Sequence, residues 1–433
     1  MFDANTAIWI LLGSFVVFVI CKMPVTFALA VSSCLTLSFM HIPLMAFIQQ
    51  MAKSVDSFSL MAIPFFILSG EIMGAGGISD RLLQAADALV GRFRGGFAYV
   101  NVLASMFFGH LSGSAVADVS SLGMLEIPMM VKAGYDRDFS VALTVTTSCQ
   151  GVLIPPSHNM IIYSVAAGGV SVGALFMAGL VPGILCGLSQ MVVCFVLARK
   201  RNYPKGDAIP LKKALRIWWD AILALFTAVI ILVGVTAGWF TATESAAIAC
   251  VYSLIISVFV YKQLKLKEMG RLLMNTVKTL AMVFSLIAAA GAFGYLLAML
   301  RVPTMITGAL LAISGNKMVL LLLINVMLLL LGCIMDMAPL ILIVTPILIP
   351  VIKSLGMSTV QFGVVLIYNL AIGLCTPPVG SALFVGCGIG KISVEKTVKA
   401  MLPLYGAMVA GLFLVTYVPA ISIALPRALG YAV

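Results

Sequence analysis

Two apolar segments of this sequence, about half its length apart, are interrupted in the same way. Each places a glycine and a double proline inside a long apolar run: Gly151 to Pro156 (GVLIPP) and Gly373 to Pro378 (GLCTPP). The shift of 222 residues, from 151 to 373, also aligns Ile127-Pro128 with Ile349-Pro350. Proline breaks a helix because it lacks the amide hydrogen. Duplicated broken membrane helices are typical of secondary transporters, so the pattern predicts two related halves around a substrate or ion site.

The composition identifies a polytopic membrane protein. Of 433 residues, 62% are apolar and 9% are charged, whereas soluble domains have about 25% charged residues. The net charge of +11 is explained by basic cytoplasmic loops rather than by nucleic-acid binding. Residues 1–5 lack the basic region of a secretory signal, so the first apolar run is expected to remain as a membrane helix.

The apolar runs predict an all-α fold with two kinds of membrane segment. Two runs, 97–131 and 317–352, have polar or helix-breaking centres, at Ser112-Gly113-Ser114 and at Asp336-Met337-Ala338-Pro339. Each is predicted to be a re-entrant helical hairpin, because irregular backbone inside a membrane is tolerated only where protein or water satisfies it. The other runs are candidate spans: 7–21, 24–41, 59–77, 139–168, 173–198, 218–240, 242–261, 275–300, 361–387 and 400–425.

The basic residues predict how the halves are oriented. With the N-terminus outside, most Lys and Arg, including Arg94 and the cluster at 199–216, fall on the cytoplasmic side, as the positive-inside rule requires. Lys317 is among the few that stay outside. The two halves are then inverted repeats. Residues 1–210 contain the hairpin at about 97–131 and a broken helix at about 139–168, and residues 211–433 contain the hairpin at about 317–352 and a broken helix at about 361–387.

The breaks and the hairpin tips offer oxygen ligands. A broken helix exposes carbonyls that attract a cation and amides that attract an anion. Hydroxyl, carbonyl and carboxylate oxygens suit a hard ion such as Na⁺. One cation is therefore predicted between the Ser112-Gly113-Ser114 tip and the Gly151–Pro156 break, and another between Asp336 and the Gly373–Pro378 break. The simpler alternative, glycine and proline kinks in packed helices, fits one double proline better than a duplicated pair.

Other ionisable residues in apolar runs are functional candidates by default. Asp118 ranks after Asp336. Pairing with arginine or helix capping is favoured over ligation for Glu71 and Glu244. Arg301 could anchor an anionic substrate from the outer side, although an interface arginine fits equally well. His158 and its neighbour could contact substrate or face outward.

No pattern for catalysis or for a bound cofactor is present. The nine cysteines and three histidines have no transition-metal or disulfide spacing. Residues 386–391 faintly match a phosphate loop, but the spacing is one residue short and the Ser/Thr is missing. Accumulation of a solute would need an ion gradient or another subunit. An intramembrane hydrolase using Asp118 and Asp336 is the alternative from another class, and a channel is less favoured than either.

Motifs along nearly the whole chain resemble the DctM-type large membrane subunit of tripartite ATP-independent periplasmic (TRAP) transporters. They are Pro64–Met73 with Gly76-Gly77-Ile78, Phe107-Phe108-Gly109 with Leu111–Asp118, Ile127–Met130, Gly134-Tyr135, Leu153–Ser157, Phe176–Gly183, Met335-Asp336, Thr345-Pro346 and Thr376–Gly380. Two positions depart from the family pattern. His158 replaces an apolar residue, which affects the expected substrate preference, and Ala242 replaces a proline at a helix start.

The resemblance implies a Na⁺-coupled importer of the bacterial or archaeal inner membrane, with an elevator-type fold. Its expected partners are a small four-helix membrane subunit (DctQ-type) and a periplasmic substrate-binding protein. Expected substrates are carboxylates or sugar acids, such as C4-dicarboxylates and sialic acid; a self-sufficient Na⁺/carboxylate symporter is the alternative. The implied cation ligands are Ser112, Gly151, Asp336, Gly373 and Thr376. The implied substrate contacts are Ser114, Pro156, Ser157, Pro378 and Ser381, with Arg301 as the anchor.

Overall fold

The computed structural model describes residues 3–206 and 209–433, except for the side chains of residues 110–112. Among these residues the regular structure is helical. The α-helices, numbered α1 to α22, are Ala4–Ile20, Val25–Phe39, Met45–Val55, Ala62–Ala75, Ile78–Val90, Gly96–Ser112, Ala115–Ser121, Gly123–Lys132, Arg137–Thr147, Gln150–Leu153, His158–Ala166, Val172–Lys200, Leu211–Thr236, Ala242–Ile255, Met269–Met299, Val302–Ile313, Lys317–Ile334, Met337–Ser354, Thr359–Leu374, Ser381–Gly390, Val394–Tyr417 and Pro419–Ala428.

Within the described ranges, eight helical segments are long and apolar enough to span a membrane. They include α12, α13, α15, α17, α18 and α21, together with two segments that join short turns to α4 and α14. The helices α3, α5, α16 and α22 have 10 to 13 residues and were not predicted, because a search for runs of about 20 apolar residues overlooks them. The all-helical class is confirmed.

The first predicted hairpin folds back on itself at Gly113. This residue has φ of 59°, a left-handed conformation that glycine adopts without a steric penalty, and it ends α6. The chain returns as α7 and α8. Asn101 in α6 donates a hydrogen bond from Nδ2 to Oε2 of Glu126 in α8 at 2.6 Å. The two residues lie at similar distances from the turn, so the helices run side by side in opposite directions.

The second predicted hairpin consists of α17 and α18, which meet at Met335 and Asp336. Asp336 has an extended backbone (φ −68°, ψ 160°) and is the N-cap residue of α18. At the open end of the hairpin, Nζ of Lys317 donates to the carbonyl of Gly356 at 3.5 Å. The beginning of α17 and the end of α18 are therefore close together. Both segments have the shape of a helical hairpin.

Both double prolines lie at breaks between helices. In the first half, α9 and the short α10 lead to Ile154, which is extended (φ −77°, ψ 121°), and α11 begins at His158. In the second half, α19 ends at Leu374 and α20 begins at Ser381. The Pro155-Pro156 and Pro377-Pro378 peptide bonds are both cis. The predicted interruptions are thus present in the structure, on α9–α11 and on α19–α20.

The two broken helices contact each other through a reciprocal pair of cysteines. The Sγ of Cys149 donates to the carbonyl of Ala371 at 3.0 Å, and the Sγ of Cys375 donates to the carbonyl of Val145 at 3.1 Å. The two sulfur atoms are 3.0 Å apart. The first broken helix and the second are therefore packed directly against each other.

One face of the molecule carries a polar network at the ends of several helices. Arg94 pairs with Lys205 through an isolated antiparallel bridge, and Nη1 of Arg201 lies 2.8 Å from Oδ2 of Asp136. Oδ2 of Asp136 also accepts a hydrogen bond from the Tyr203 hydroxyl at 2.8 Å. The basic residues that the sequence analysis assigned to the cytoplasm thus meet between α5, α9 and α12.

Candidate functional site

The first half of the candidate site is formed where α6 crosses the first break. A Cβ atom added to Gly109 would lie 2.4 Å from the Cα of Gly151, so this contact requires glycine. A Cβ atom on Gly151 would lie 3.7 Å from Oδ2 of Asp118. The Asp118 side chain is buried, and among the described residues its carboxylate oxygens have no hydrogen bond of good geometry, although the Ser105 hydroxyl interacts with them. A buried carboxylate beside backbone oxygens is a ligand set suited to a cation.

A buried polar network supports the same crossing, and the sequence analysis missed it. Nδ2 of Asn101 donates to Oγ1 of Thr144 at 2.7 Å, and Oγ1 of Thr147 donates to Oδ1 of Asn101 at 2.8 Å. In the second half, Nδ2 of Asn369 donates to Oδ1 of Asn325 at 2.7 Å. Thr147 and Asn369 are related by the same shift of 222 residues, so the duplication could have revealed both positions.

The second half of the site has the same glycine contact. A Cβ atom added to Gly373 would lie 2.5 Å from the carbonyl carbon of Gly332 in α17. The second turn is tied to the second break, because Oγ of Ser381 donates to Oδ1 of Asp336 at 3.3 Å. The amide of Val379 donates to the carbonyl of Cys333 at 3.0 Å. The structure thus brings the predicted residues Asp336, Gly373 and Ser381 to one place.

Some oxygens near the second break already have partners. The hydroxyl of Thr376 donates to the carbonyl of Ile372 at 2.8 Å, which leaves its lone pairs available as acceptors. The hydroxyl of Tyr405 donates to the carbonyl of Cys375. That carbonyl is therefore satisfied within the protein, whereas the carboxylate of Asp336 is exposed.

The remaining predicted residues lie in different surroundings. Pro156 and Ser157 are buried, and among the described residues Oγ of Ser157 has no hydrogen-bond partner. Pro378 is exposed. The Oγ of Ser114 accepts a hydrogen bond from the amide of Ala117 and caps α7. The side chain of Ser112 lies outside the described residues.

Arg301 is distant from the start of α15, which is the end that borders the first hairpin turn. It follows the C-terminal end of α15, has φ of 55° and is exposed. The 31 residues of α15 rise about 46 Å, and Arg301 is absent from the linings of both cavities described next. Its role as an anchor on the outer side stays a prediction.

Two cavities border the hairpin turns. A cavity of about 640 Å³ lies between the first turn, α4 and α15, and its lining includes Ser114, His158, Arg271 and Thr279. A second cavity of about 610 Å³ lies between α2, α15 and the second turn, where Asp336 and Pro339 line it. Both cavities include Thr279 and Val283. The helix α15 therefore passes both turns.

The structure shows the surroundings of the side chains whose roles the sequence analysis left open. His158 faces the first cavity, and Nδ2 of Asn159 donates to the carbonyl of Gly113 at 3.4 Å. Glu244 forms a capping box with Thr241 at the start of α14, which is the structural role that the sequence favoured. The helix begins at Ala242, so the replaced proline affects only this helix start. Glu71 accepts a hydrogen bond from Nδ2 of Asn275 at 3.4 Å.

The comparisons with known proteins agree along nearly the whole chain. The family model described as "Tripartite ATP-independent periplasmic transporter, DctM component" matches residues 12–421. The chain is 40% identical over 387 residues to the sialic acid TRAP transporter large permease protein SiaM of Vibrio cholerae, a match that covers 88% of this chain and 90% of the relative. It is 40% identical over 415 residues to the isethionate TRAP transporter permease protein DctMQ of Oleidesulfovibrio alaskensis, covering 95% of this chain and 65% of that relative.

Among solved structures, the chain is similar to the YdaH transporter of Alcanivorax borkumensis. The TM-score is 0.64 with 15% sequence identity, and the match covers 89% of each chain. At this identity the similarity shows the shared fold alone. The family match and the relatives show more: the chain belongs to the DctM family of TRAP transporter large permeases, and it is a multi-pass transport protein of the inner membrane rather than an enzyme.

Proposed function

We propose that this permease couples the inward movement of Na⁺ to the uptake of a small organic anion. The observation that carries the proposal is the pair of acidic groups at the two crossings. Asp118 is buried beside Gly151 with no cationic partner among the described residues, and Asp336 is hydrogen-bonded to Ser381 at the second break. A carboxylate next to backbone oxygens favours a hard monovalent cation over a bulky organic one. The relatives named for sialic acid and isethionate support an anionic substrate.

The proposed sites lie within re-entrant hairpins and broken helices of two inverted repeats. The paired glycine contacts at Gly109–Gly151 and Gly332–Gly373 support this duplication. Backbone groups at a break inside a membrane must be satisfied by protein, water or ligand. Na⁺ would meet that requirement at both crossings.

Uptake in proteoliposomes tests the coupling. The permease is reconstituted with its small subunit and binding protein, and uptake of sialic acid, isethionate and succinate is measured with an inward Na⁺ or K⁺ gradient. We expect uptake of one of these anions with Na⁺ only. Asp336→Asn removes a charged ligand and should raise the half-saturating Na⁺ concentration by about tenfold.

Glu395→Gln is the matched control, because it removes one negative charge from the exposed first turn of α21, away from both breaks. Its Na⁺ dependence should equal that of the unchanged protein. Equal uptake with K⁺ would overturn the proposed coupling, and an unchanged Na⁺ response in Asp336→Asn would overturn the assignment of this residue.

We propose that transport requires a DctQ-type small subunit and a periplasmic binding protein. The chain covers 65% of the DctMQ relative, which leaves in that protein a further segment of the size that a small membrane subunit needs. The alternative is a self-sufficient symporter. Uptake that persists when either partner is omitted would favour the alternative, whereas loss of uptake in both omissions would support the tripartite assembly.

An elevator-type movement is the mechanism that we propose for this permease. The hairpins and broken helices pack on one another through backbone contacts at glycines, whereas the two cavities separate the hairpin turns from α2, α4 and α15. A unit with close internal packing that borders cavities can move as a rigid body. The hairpins and broken helices would form that unit, and α2, α4 and α15 would belong to the stationary part.

A further inference from the structure

Three polar side chains form a stripe along one face of α15. Arg271, Asn275 and Thr279 are spaced four residues apart, so they lie above one another on the helix. All three line the cavity of about 640 Å³ beside the first hairpin turn. Polar groups on a membrane helix that face a cavity are a default sign of a solute pathway. The stripe therefore extends along the first part of α15, on the side that faces this cavity.

The positive charge of Arg271, at the N-terminal end of the stripe, is available to a ligand. Arg271 is exposed, and within the described residues it forms no ion pair. The other charged side chain of the cavity is Glu71, whose Oε2 accepts a hydrogen bond from Nδ2 of Asn275. A guanidinium group offers a carboxylate two parallel hydrogen bonds, which makes it the side chain best suited to bind a carboxylate.

The same cavity also contains the residue that departs from the family pattern. His158 begins α11 directly after the first double proline and lines the cavity. A Cβ atom on Gly113 would lie 3.1 Å from its Nδ1, so the imidazole packs against the hairpin turn. An imidazole can donate to or accept from a hydroxyl or amide group of a substrate.

We propose that Arg271 and Asn275 bind the carboxylate of the transported anion on the cytoplasmic side of the first hairpin, and that His158 contacts the remainder of the substrate. This inference rests on the proposed function, because it names a binding site for the same anion. It assigns α15, rather than only the hairpins and breaks, to substrate recognition. The substrate class is a monocarboxylate or dicarboxylate that also carries a hydrogen-bonding group.

Cysteine protection tests the site without relying on transport. Thr279→Cys places a thiol in the cavity, and its labelling by a membrane-impermeant maleimide is followed by peptide mass spectrometry in the purified complex. Sialic acid and succinate are the probes. We expect at least one of them to slow labelling, and Arg271→Gln should raise the half-protective concentration at least about tenfold, because it removes a charge-assisted hydrogen bond.

The control is Lys267→Gln, which removes one positive charge from an exposed residue just before α15 that does not line the cavity. Its half-protective concentration should stay within about twofold of the parent. Arg271→Lys keeps the charge and should recover part of the protection. If Arg271→Gln does not yield a monodisperse protein, Asn275→Ala gives the same test with a smaller expected loss of about threefold.

A double variant separates substrate binding from charge balance. If Arg271 only neutralises Glu71, then Glu71→Gln combined with Arg271→Gln should restore protection, and this would overturn the proposal. Lack of protection in the parent at 10 mM of each probe (about a thousandfold above a typical low micromolar affinity) would also overturn it. The separate uptake assay reports on the proposed function, so Na⁺-driven uptake with unaltered protection in Arg271→Gln would refute this site alone.

Discussion

A carboxylate buried without a donor is costly unless a cation or a proton joins it. Asp118 is close to this situation in the part of the chain that the structure describes, since only the Ser105 hydroxyl interacts with its carboxylate. Asp336, by contrast, is exposed and accepts a hydrogen bond from Ser381. The two acidic residues are therefore not equivalent, because burial of Asp118 must be offset by a cation or a proton, whereas Asp336 is solvated without either.

This difference predicts how replacing Asp118 changes thermal stability with and without Na⁺. Asp118→Asn should leave the melting temperature in choline buffer unchanged or higher, because an uncompensated buried charge is removed. If Na⁺ binds as proposed, it should raise the melting temperature of the unchanged protein, because an ion stabilises the state that binds it. Asp118→Asn should lose this rise. Thermal unfolding in Na⁺ and choline buffers measures both. A full Na⁺ response in Asp118→Asn would contradict the prediction.

The carboxyl group of Asp136 is the basis of a second prediction at the scale of single residues. Hydrogen bonds from the Tyr203 hydroxyl and then from Arg201 hold the pKa of its carboxyl below the ordinary value. A lowered pKa in the folded state stabilises the fold above the usual Asp pKa of about 3.9, and this stability is lost as the pH falls through the folded value. Its side chain is 55% exposed, so the contribution is small.

We therefore expect Asp136→Asn to lower the free energy of unfolding by about 0.5 kcal/mol at pH 7. The difference from the unchanged protein should be the same at pH 5 and should narrow only below about pH 4. Thermal unfolding of both proteins at several pH values measures it. A difference that disappears already between pH 7 and pH 5 would show that another group is responsible.

At the scale of elements, two glycine contacts fix how the hairpins cross the breaks. The first joins Gly109 to Gly151, and the second joins Gly332 to Gly373. In each case a methyl group would overlap backbone, which cannot move aside as a side chain can. Close packing of this kind is the usual basis of helix association in membranes, where small residues let backbones approach.

Replacing one of these glycines should loosen the crossing. Gly373→Ala would place Cβ 2.5 Å from the carbonyl carbon of Gly332, and overpacking costs about 1–3 kcal/mol. We expect a lower melting temperature and loss of Na⁺-dependent stabilisation. Gly388→Ala is the control in the following helix, because no atom lies within 4 Å of its added Cβ. Equal melting temperatures for the two variants would contradict the prediction.

The sequence predicted the elements whose cause is local. Single prolines such as Pro182 lie inside continuous helices, whereas the adjacent prolines 155–156 and 377–378 lie at breaks, and the duplication marked these as a pair. The partners across the contacts were not predicted. Asn101 and Gly109 are important because they contact Thr144 and Gly151, each more than 40 residues away along the chain. Such pairings depend on how helices pack, and a periodic pattern does not specify this.

At the scale of the whole molecule, the charge distribution predicts the orientation that the proposed function needs. Arg94 and Lys205 are paired although they are far apart in the sequence, and both were assigned to the cytoplasm. Lys317 is near Gly356 at the open end of the second hairpin, which was assigned to the outer side. The two hairpins would then open toward opposite faces of the membrane.

Labelling from each side of the membrane tests this orientation. A cysteine at Lys205 should react with an impermeant maleimide only from the cytoplasmic side, and a cysteine at Lys317 only from the outside; both positions are exposed. The exposed native Cys21 is replaced by serine in both variants. Labelling of both positions from the same side would contradict the inverted arrangement of the two halves.

The polar residues of α15 recur every four positions, which corresponds to about 6 Å along the helix axis. With the binding site proposed above, an anion that approaches the start of α15 would meet the Thr279 hydroxyl, the Asn275 amide and the Arg271 guanidinium in turn. It could then exchange one hydrogen-bond partner for the next, so that the cost of removing its water would be spread over several short steps.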